Sequence, residues 1–374
     1  MDIDLVAELP TPMLRTMLEA HVHADTSVTL AIVPVPKIAD PNDILVRVVC
    51  ASCNPKDWKM PAGLLKTIAN CPNSGDDIAG IVKETGAAVT SCKPGDRVAA
   101  LHQLGAPFGA YAEFALVKDF VCFKVPDSLS WEAAATIPMA VYVASIALFA
   151  SLNLCAGPWE RVLKETPLLI YGAATGVGSM AVKLAQIANI HPLICVAGSG
   201  SGFVAGLVDG SKGDGIFDYR DGGDALVSGI QSMLGGRELE YAFDAVSEES
   251  SLANIAKILK PDGGRIALTL PGRTHKLPEG LQVAHVMAGS LWSRLVGHDK
   301  DEQLGNLGLE EGGPEFARAI TSSVQAMLSE GVLKPQPFTV YERGLNGLET
   351  ALKALRAGQV HASRCVVRID DTNR

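Results

Sequence analysis

The run Leu168–Tyr171 leads directly into Gly172-Ala173-Ala174-Thr175-Gly176-Val177-Gly178, and a helical pattern begins at Ser179. Small residues between a strand and a helix let backbone N–H groups approach a pyrophosphate. The helix N-terminus adds partial positive charge at the same point. Gly178 permits close helix–strand packing, and the Thr175 hydroxyl can face a phosphate. The alternative is a tight strand–helix connection without a ligand; its place at the first strand of an alternating series favours a dinucleotide. The end of the second strand discriminates between cofactors. NAD-binding units usually carry Asp or Glu about 20 residues after the glycines, to hold the ribose 2′-hydroxyl. Here that end reads CVAGSGSG, 195–202, with no acid. Ser199 and Ser201 offer hydroxyls instead, and Lys212 downstream is a candidate basic contact. NADPH is therefore expected over NADH, although no Arg or Lys follows the strand directly. The alternative reading of GSGSG is a flexible turn.

The elements around this turn follow from pattern. The first 130 residues hold short strand-like runs, DILVRVVCAS, DIAGIVKETG, GDRVAAL and GAYAEFALV, punctuated by Gly and Pro as in a barrel-like β domain. At Ser130 the texture changes. SWEAAATIPMAVYVASIALFASLNL is Ala-rich, opens on the cap Ser130 with Glu132 in the first turn, and reads as a helix pair broken near Pro138. Between 166 and 270, strand-like LLIYG, PLICVAG, GIFDY, EYAFDAV and GRIALTL alternate with helical patterns, which predicts a parallel sheet with helices on both faces. Residues 272–313 show no sheet alternation. EFARAITSSVQAMLSEG and GLETALKALRAG read as amphipathic helices, the second ending at Gly358, and RCVVRID reads as a terminal strand.

Bulk properties narrow the class. A chain of 374 residues favours two domains. It is 48% hydrophobic and 20% charged, a globular composition, and its net charge of −9 argues against nucleic acid or an anionic membrane as the main partner. No apolar run is expected to reach the roughly 18 residues of a spanning helix. The start, MDIDLVAELPTP, lacks a basic region, so no signal peptide is read there and a cytoplasmic location is expected. Eight scattered cysteines read as free thiols.

NSGDDIAGIVKETGAAVTSCKPGDRV, GAYAEFALV, SWEAAATIP and YGAATGVGSMAVKLAQ occur in the order and spacing of the medium-chain dehydrogenase/reductase superfamily. With IFDYRD, EYAFDAV, LKPDGGRIAL and RCVVRI the resemblance covers nearly the whole chain. NPKDWKM, FDYRD and the irregular segment after Leu270 make it most similar to the zinc-less quinone- and enoyl-reductase branch, and within it to fungal enoyl reductases that act in trans with polyketide synthases. The resemblance implies an α/β protein: a GroES-like β-rich catalytic domain (1–138), a Rossmann domain with a doubly wound parallel sheet (139–300) and a return to the catalytic domain (301–374). It implies NADPH in the cleft between them. Ala174, Thr175, Gly176 and Val177 would line the pyrophosphate, Ser199 would face the 2′-phosphate and Tyr219 would flank the adenine end. Leu268 and Thr269 would lie near the nicotinamide, and Arg364 would reach the cofactor from the last strand.

In the zinc-dependent branch a Cys and a GHE stretch hold a catalytic metal; here the matching places are Asn54 and Gly75-Asp76-Asp77. Zinc favours sulfur and nitrogen ligands, so this set is a poor match, and no four-cysteine lobe is present. A metal-free site suits reduction of an activated C=C bond, in which charge builds on the carbonyl oxygen as an enolate that donors can stabilise. By resemblance the loop 53–63 is the active-site loop. Asn54 is a candidate to bond the nicotinamide ribose or the substrate carbonyl. Lys59 would donate to the enolate or relay the proton; a solvated surface lysine is the alternative. Lys56 is a weaker competitor, and Asp57 would orient the loop. Tyr142 is a candidate to act on the substrate, against the alternative of a core tyrosine. Val143 stands where the family has a Thr. His102 is a further candidate for touching substrate. Met287, Leu291 and Trp292 would wall an acyl pocket, form a subunit contact or simply pack. The expectation is an NADPH-dependent enoyl reductase acting on a small-molecule or carrier-protein-bound acyl group, with a polyketide synthase as the implied partner. A quinone or enone reductase, or a redox-silent cyclase or binding member, are the alternatives.

Overall fold

The computed structural model describes residues 15–63, 71–270, 277–292 and 312–373. The N-terminal stretch and the expected boundary at 300/301 lie outside the described residues. Asp43–Cys53 is rich in Val, Ile and Cys and is buried along most of its length, as a central strand must be. It pairs antiparallel with Asp77–Thr85 on one side and with the last strand, Arg364–Arg368, on the other. Phe114–Lys118 also pairs with its first half. Arg97–Leu101 and Cys122–Lys124 extend this seven-stranded sheet one way, and Phe338–Tyr341 closes it the other way. The end of the chain is thus the direct neighbour of the loop that follows Cys53. A separate hairpin pairs Thr16–Val22 with Val28–Pro34.

The second sheet has six parallel strands in the order Gly215–Asp218, Leu193–Ala197, Leu168–Tyr171, Tyr241–Asp244, Arg265–Leu268, Gln282–His285. In chain order this is 3-2-1-4-5-6, the arrangement of a doubly wound dinucleotide fold, in which ligands sit beyond the carboxyl ends of the strands. Five of these strands match the expected runs. The sixth corrects the reading of 272–313 as lacking a strand: Gln282–His285 is a half-exposed edge strand of four residues, too short to show alternation.

The two sheets meet on the Ala-rich stretch. Ser130 Oγ accepts from Ala133 N at 3.2 Å and caps Trp131–Ala135. After a break at Thr136 and Ile137, Pro138 opens Pro138–Ser145 at a position where its missing N–H costs nothing. The helix runs on to Ser151. Contrary to expectation, Trp131–Ser151 is long and apolar enough to cross a membrane (21 residues, mean hydropathy 1.9), but 94% of its most apolar window is buried inside the protein. Its side chains join one core cluster that includes Ala79 and Leu101 of the first sheet and Leu168, Ile170 and Leu193 of the second. Helix Gly313–Ser329 covers this core with Ala317, Ile320, Thr321, Val324 and Leu328, an amphipathic stripe.

Helix Gly176–Ile187 starts directly behind strand Leu168–Tyr171. Gly172 turns with φ +79°, a conformation that glycine adopts without strain. At Gly178 a Cβ would stand 2.2 Å from the Gly172 carbonyl oxygen. Gly178→Ala should therefore destabilise the protein by about 2 kcal/mol or more, read from denaturant unfolding; an unchanged midpoint would contradict the close helix–strand contact.

Candidate active site

Two cavities lie between the sheets, beyond the carboxyl ends of the parallel strands. Both are lined by Pro55, Thr175, Gly176, Val246 and Arg364, so they form one continuous cleft. Its first half is bordered by Asn54, Lys56, Lys59 and Met60 of the loop after Cys53, and by Met139, Val143, Thr269 and Met287 across from them. Its second half runs from Gly172 and Ala174 to Ser199, Gly200 and Tyr219.

The second half is built as an anion cradle. Thr175 caps the helix: its Oγ1 accepts from Gly178 N at 3.0 Å and its carbonyl from Ser179 N at 2.9 Å. Gly176 and Val177 open the helix, so their N–H groups have no intrahelical acceptor. Arg364 stands against this end, its Nη1 2.8 Å from where a Cβ on Gly176 would be. A guanidinium and a helix N-terminus face each other here, an arrangement that an anion between them reconciles. Further along, a Cβ on Gly200 would lie 2.4 Å from Ala174 Cβ, and one on Gly198 would lie 2.6 Å from the Tyr219 ring. Tyr219 lies half exposed across the missing side chain of Gly198. A narrow backbone-lined trough that ends on an aromatic ring fits the pyrophosphate and adenine of a dinucleotide.

Arg364 and Asn54 are held by one carboxylate. Asp77 Oδ2 accepts from Arg364 Nη2 at 2.6 Å and from Asn54 Nδ2 at 2.8 Å, and its Oδ1 accepts from Met139 N at 2.6 Å. Ser52 Oγ accepts from Arg364 Nε and Nη2 at 3.2 and 3.0 Å. Burial pushes the Asp77 carboxyl up to about 6, while Arg364, Asn54 and the Met139 amide favour its ionised form.

Beside this hub lies a second buried cluster. The Lys56 ammonium meets Asp57 Oδ1 at 3.0 Å, Asp76 Oδ2 and the Ser74 carbonyl. Asp57 Oδ2 accepts from Asn54 N at 2.7 Å and from the Tyr111 hydroxyl at 2.6 Å. His102 Nδ1 lies 3.0 Å from Asp76 Oδ1, with its Nε2 3.0 Å from the Pro107 carbonyl. Burial opposes the charge on Lys56, but Asp57 and Asp76 outweigh it and raise its pKa. Burial likewise opposes the charge on Asp76, but Lys56 and His102 hold its carboxyl below the usual range. The Lys56 ammonium donates to the Ser74 carbonyl and is ion-paired with Asp57 and Asp76, so Lys56 ties the loop.

The structure brings Asn54, Lys59, Ala174, Thr175, Gly176, Val177, Ser199, Tyr219, Thr269 and Arg364 to the cleft, with Val143 and Met287. Four other expectations are corrected. Tyr142 is fully buried and faces the core, its hydroxyl 2.5 Å from Thr321 Oγ1. Leu268 is fully buried against the outer helices, because alternate strand positions face opposite ways; the next residue, Thr269, faces the cleft. Lys212 bonds Asn189 and His191 at the amino end of Leu193–Ala197, away from Ser199. His102 belongs to the Asp76 cluster rather than the cavity wall. Leu291 is in the core, and Trp292 packs edge-on against Phe120 at 5.9 Å. The sequence reading missed Met60, Leu104 and Met139, which give the first half its apolar wall. It also missed Gln336, whose Nε2 donates to the Gly176 carbonyl at 2.9 Å while its Oε1 accepts from Ser179 Oγ at 2.9 Å.

Lys56→Met would remove the lysine cation that sits between the buried carboxylates of Asp57 and Asp76. It should cost about 3 kcal/mol of stability, measured by chemical denaturation. Adding Asp76→Asn to it should recover part of the loss. A Lys56→Met protein as stable as the wild type would contradict the tie.

Residues 40–127 match the family model described as the alcohol dehydrogenase GroES-like domain. The trans-enoyl reductase fsr4 of Gibberella fujikuroi is 37% identical over 329 residues, covering 86% of this chain and 90% of that protein. The trans-enoyl reductase milB of Cordyceps militaris is 30% identical over 362 residues, covering 91% and 95%. A crystal structure of an alcohol dehydrogenase superfamily protein from Novosphingobium aromaticivorans shares the fold, with a TM-score of 0.75 at 21% identity over 95% of this chain and 99% of that one. On this likeness along nearly its whole length, and with the two-sheet architecture and interdomain cleft described above, the chain belongs to the trans-enoyl reductases of the medium-chain dehydrogenase/reductase superfamily.

Proposed function

We propose that this enzyme uses NADPH to reduce an activated C=C bond in an acyl group carried by a polyketide synthase. The observation that carries the reading is the continuity of the cleft. A phosphate-type cradle at Thr175 and Gly176 opens directly into an apolar cavity walled by Met60, Leu104, Met139, Val143 and Met287. Bound NADPH supplies the hydride, which adds to the carbon β to the acyl carbonyl. The chain's own residues do the rest. Gly176 and Val177 N–H groups with Arg364 would hold the pyrophosphate, Ser199 would face the ribose 2′ position, and Tyr219 would cover the adenine. Thr269 and Val143 would border the nicotinamide.

The charge that develops on the acyl oxygen needs a donor, and the α carbon needs a proton. Arg364 does not give up a proton in proteins. Lys56 is ion-paired with Asp57 and Asp76 and donates to the Ser74 carbonyl. Lys59, which lines the apolar cavity, is the residue assigned to this work. Its Nζ lies 5.6 Å from the centroid of the Trp58 ring, which flanks it. Asn54, held through one N–H by Asp77, orients the carbonyl or the nicotinamide ribose. The apolar wall admits an acyl chain and excludes water from the enolate.

NADPH consumption against α,β-unsaturated thioesters, enones and quinones tests the assignment. Turnover of the thioesters is expected; turnover of quinones alone would favour a quinone reductase, and no NADPH binding at micromolar concentration would favour a redox-silent member. Lys59→Ala should lower kcat about 100-fold with NADPH affinity unchanged, and undiminished turnover would remove Lys59 from the chemistry.

A further inference from the structure

The second half of the cleft raises a question of charge. A 2′-phosphate at Ser199 needs a positive or donor partner, and the turn after Leu193–Ala197 contains no basic residue. Three nearby cations are committed elsewhere. Arg364 is turned to Asp77, Ser52 and the start of helix Gly176–Ile187. Arg220 folds back on Asp218, with Nε 2.9 Å from Oδ1 and Nη2 2.5 Å from Oδ2. Lys212 is held at the other end of the strand. Apart from Arg364, the residue on the wall of this cavity that can carry positive charge is His361.

His361 comes from the other domain, in the loop between helix Leu348–Arg356 and the last strand. Its neighbour Ala362 adopts φ +46° and packs against the second strand–helix turn: a Cβ on Gly200 would lie 3.3 Å from Ala362 Cβ. The loop therefore packs against the turn that contains Ser199 and Gly200. His361 is exposed, and among the described residues it has no hydrogen-bond or ion-pair partner. An imidazole offers an N–H donor whether neutral or protonated. Glu248 lines the same cavity and disfavours anions near it, which makes a donor elsewhere on the wall more necessary.

We propose that His361 reads the cofactor's 2′-phosphate, so that preference for NADPH over NADH is set across the cleft, by a residue of the catalytic domain, and not by the nucleotide-binding turn alone. This rests on the NADPH reading above. It also couples cofactor choice to domain contact, because His361 reaches the ribose only when loop 360–363 lies on Gly200.

Calorimetric titration with 2′,5′-ADP and 5′-AMP tests it without turnover. The wild type should bind 2′,5′-ADP more tightly. His361→Ala should weaken 2′,5′-ADP about 10-fold and leave 5′-AMP unchanged, and His361→Arg should restore the preference. Equal losses for both ligands, or an undiminished preference in His361→Ala, would overturn the role of His361 while leaving the NADPH reading in place. A wild type that does not distinguish the two ligands would overturn both.

Discussion

One buried carboxylate organises the cleft. Asp77 sits where four segments converge: its own strand, the active-site loop through Asn54, the last strand through Arg364, and helix Pro138–Ser145 through the amide of Met139. A buried carboxylate must be paired or fully hydrogen-bonded to be tolerated. That requirement draws in a guanidinium from the end of the chain, an amide side chain from the reactive loop and the amino end of the helix that joins the two sheets. The same guanidinium then faces the start of helix Gly176–Ile187. The placement of Asn54, Arg364 and the start of helix Pro138–Ser145 around the cleft thus depends on a single acceptor.

The Lys56 cluster serves the same end by another route. By the resemblance read from the sequence, Asp76 stands in the place of a zinc ligand of the metal-dependent branch; here a lysine ammonium lies between it and Asp57. The cation is part of the chain. It holds Asp57, whose other oxygen accepts the Asn54 amide, so the loop is fixed by internal charge. The proposed chemistry at the cavity falls to Lys59, on the same short helix Pro55–Lys59.

The local signals in the sequence translate directly into structure. The cap Ser130, the break at Pro138, the small-residue turn and five parallel strands each depend on residues close in sequence, where capping and periodicity act. What escaped the reading has a common cause. Tyr142 lies on a helix that is apolar on every side, so periodicity cannot tell the face toward the cleft from the face toward the core. Leu268 and Thr269 differ only in strand parity, which the resemblance blurred. Gln282–His285 is too short to alternate. The Lys56 cluster joins positions 56, 57, 76, 102 and 111, and Ala362 meets Gly200 from the far end of the chain; such pairings are products of topology, invisible to any local window.

In the proposed function Arg364 holds the cofactor only because Asp77 holds Arg364. A double-mutant cycle on NADPH affinity, with Asp77→Asn, Arg364→Met and the double variant, measures this coupling directly. The account predicts that each single change weakens binding about 10-fold or more and that the double variant is no weaker than the worse single one. Independent, additive losses would show that the two residues act separately and would contradict it.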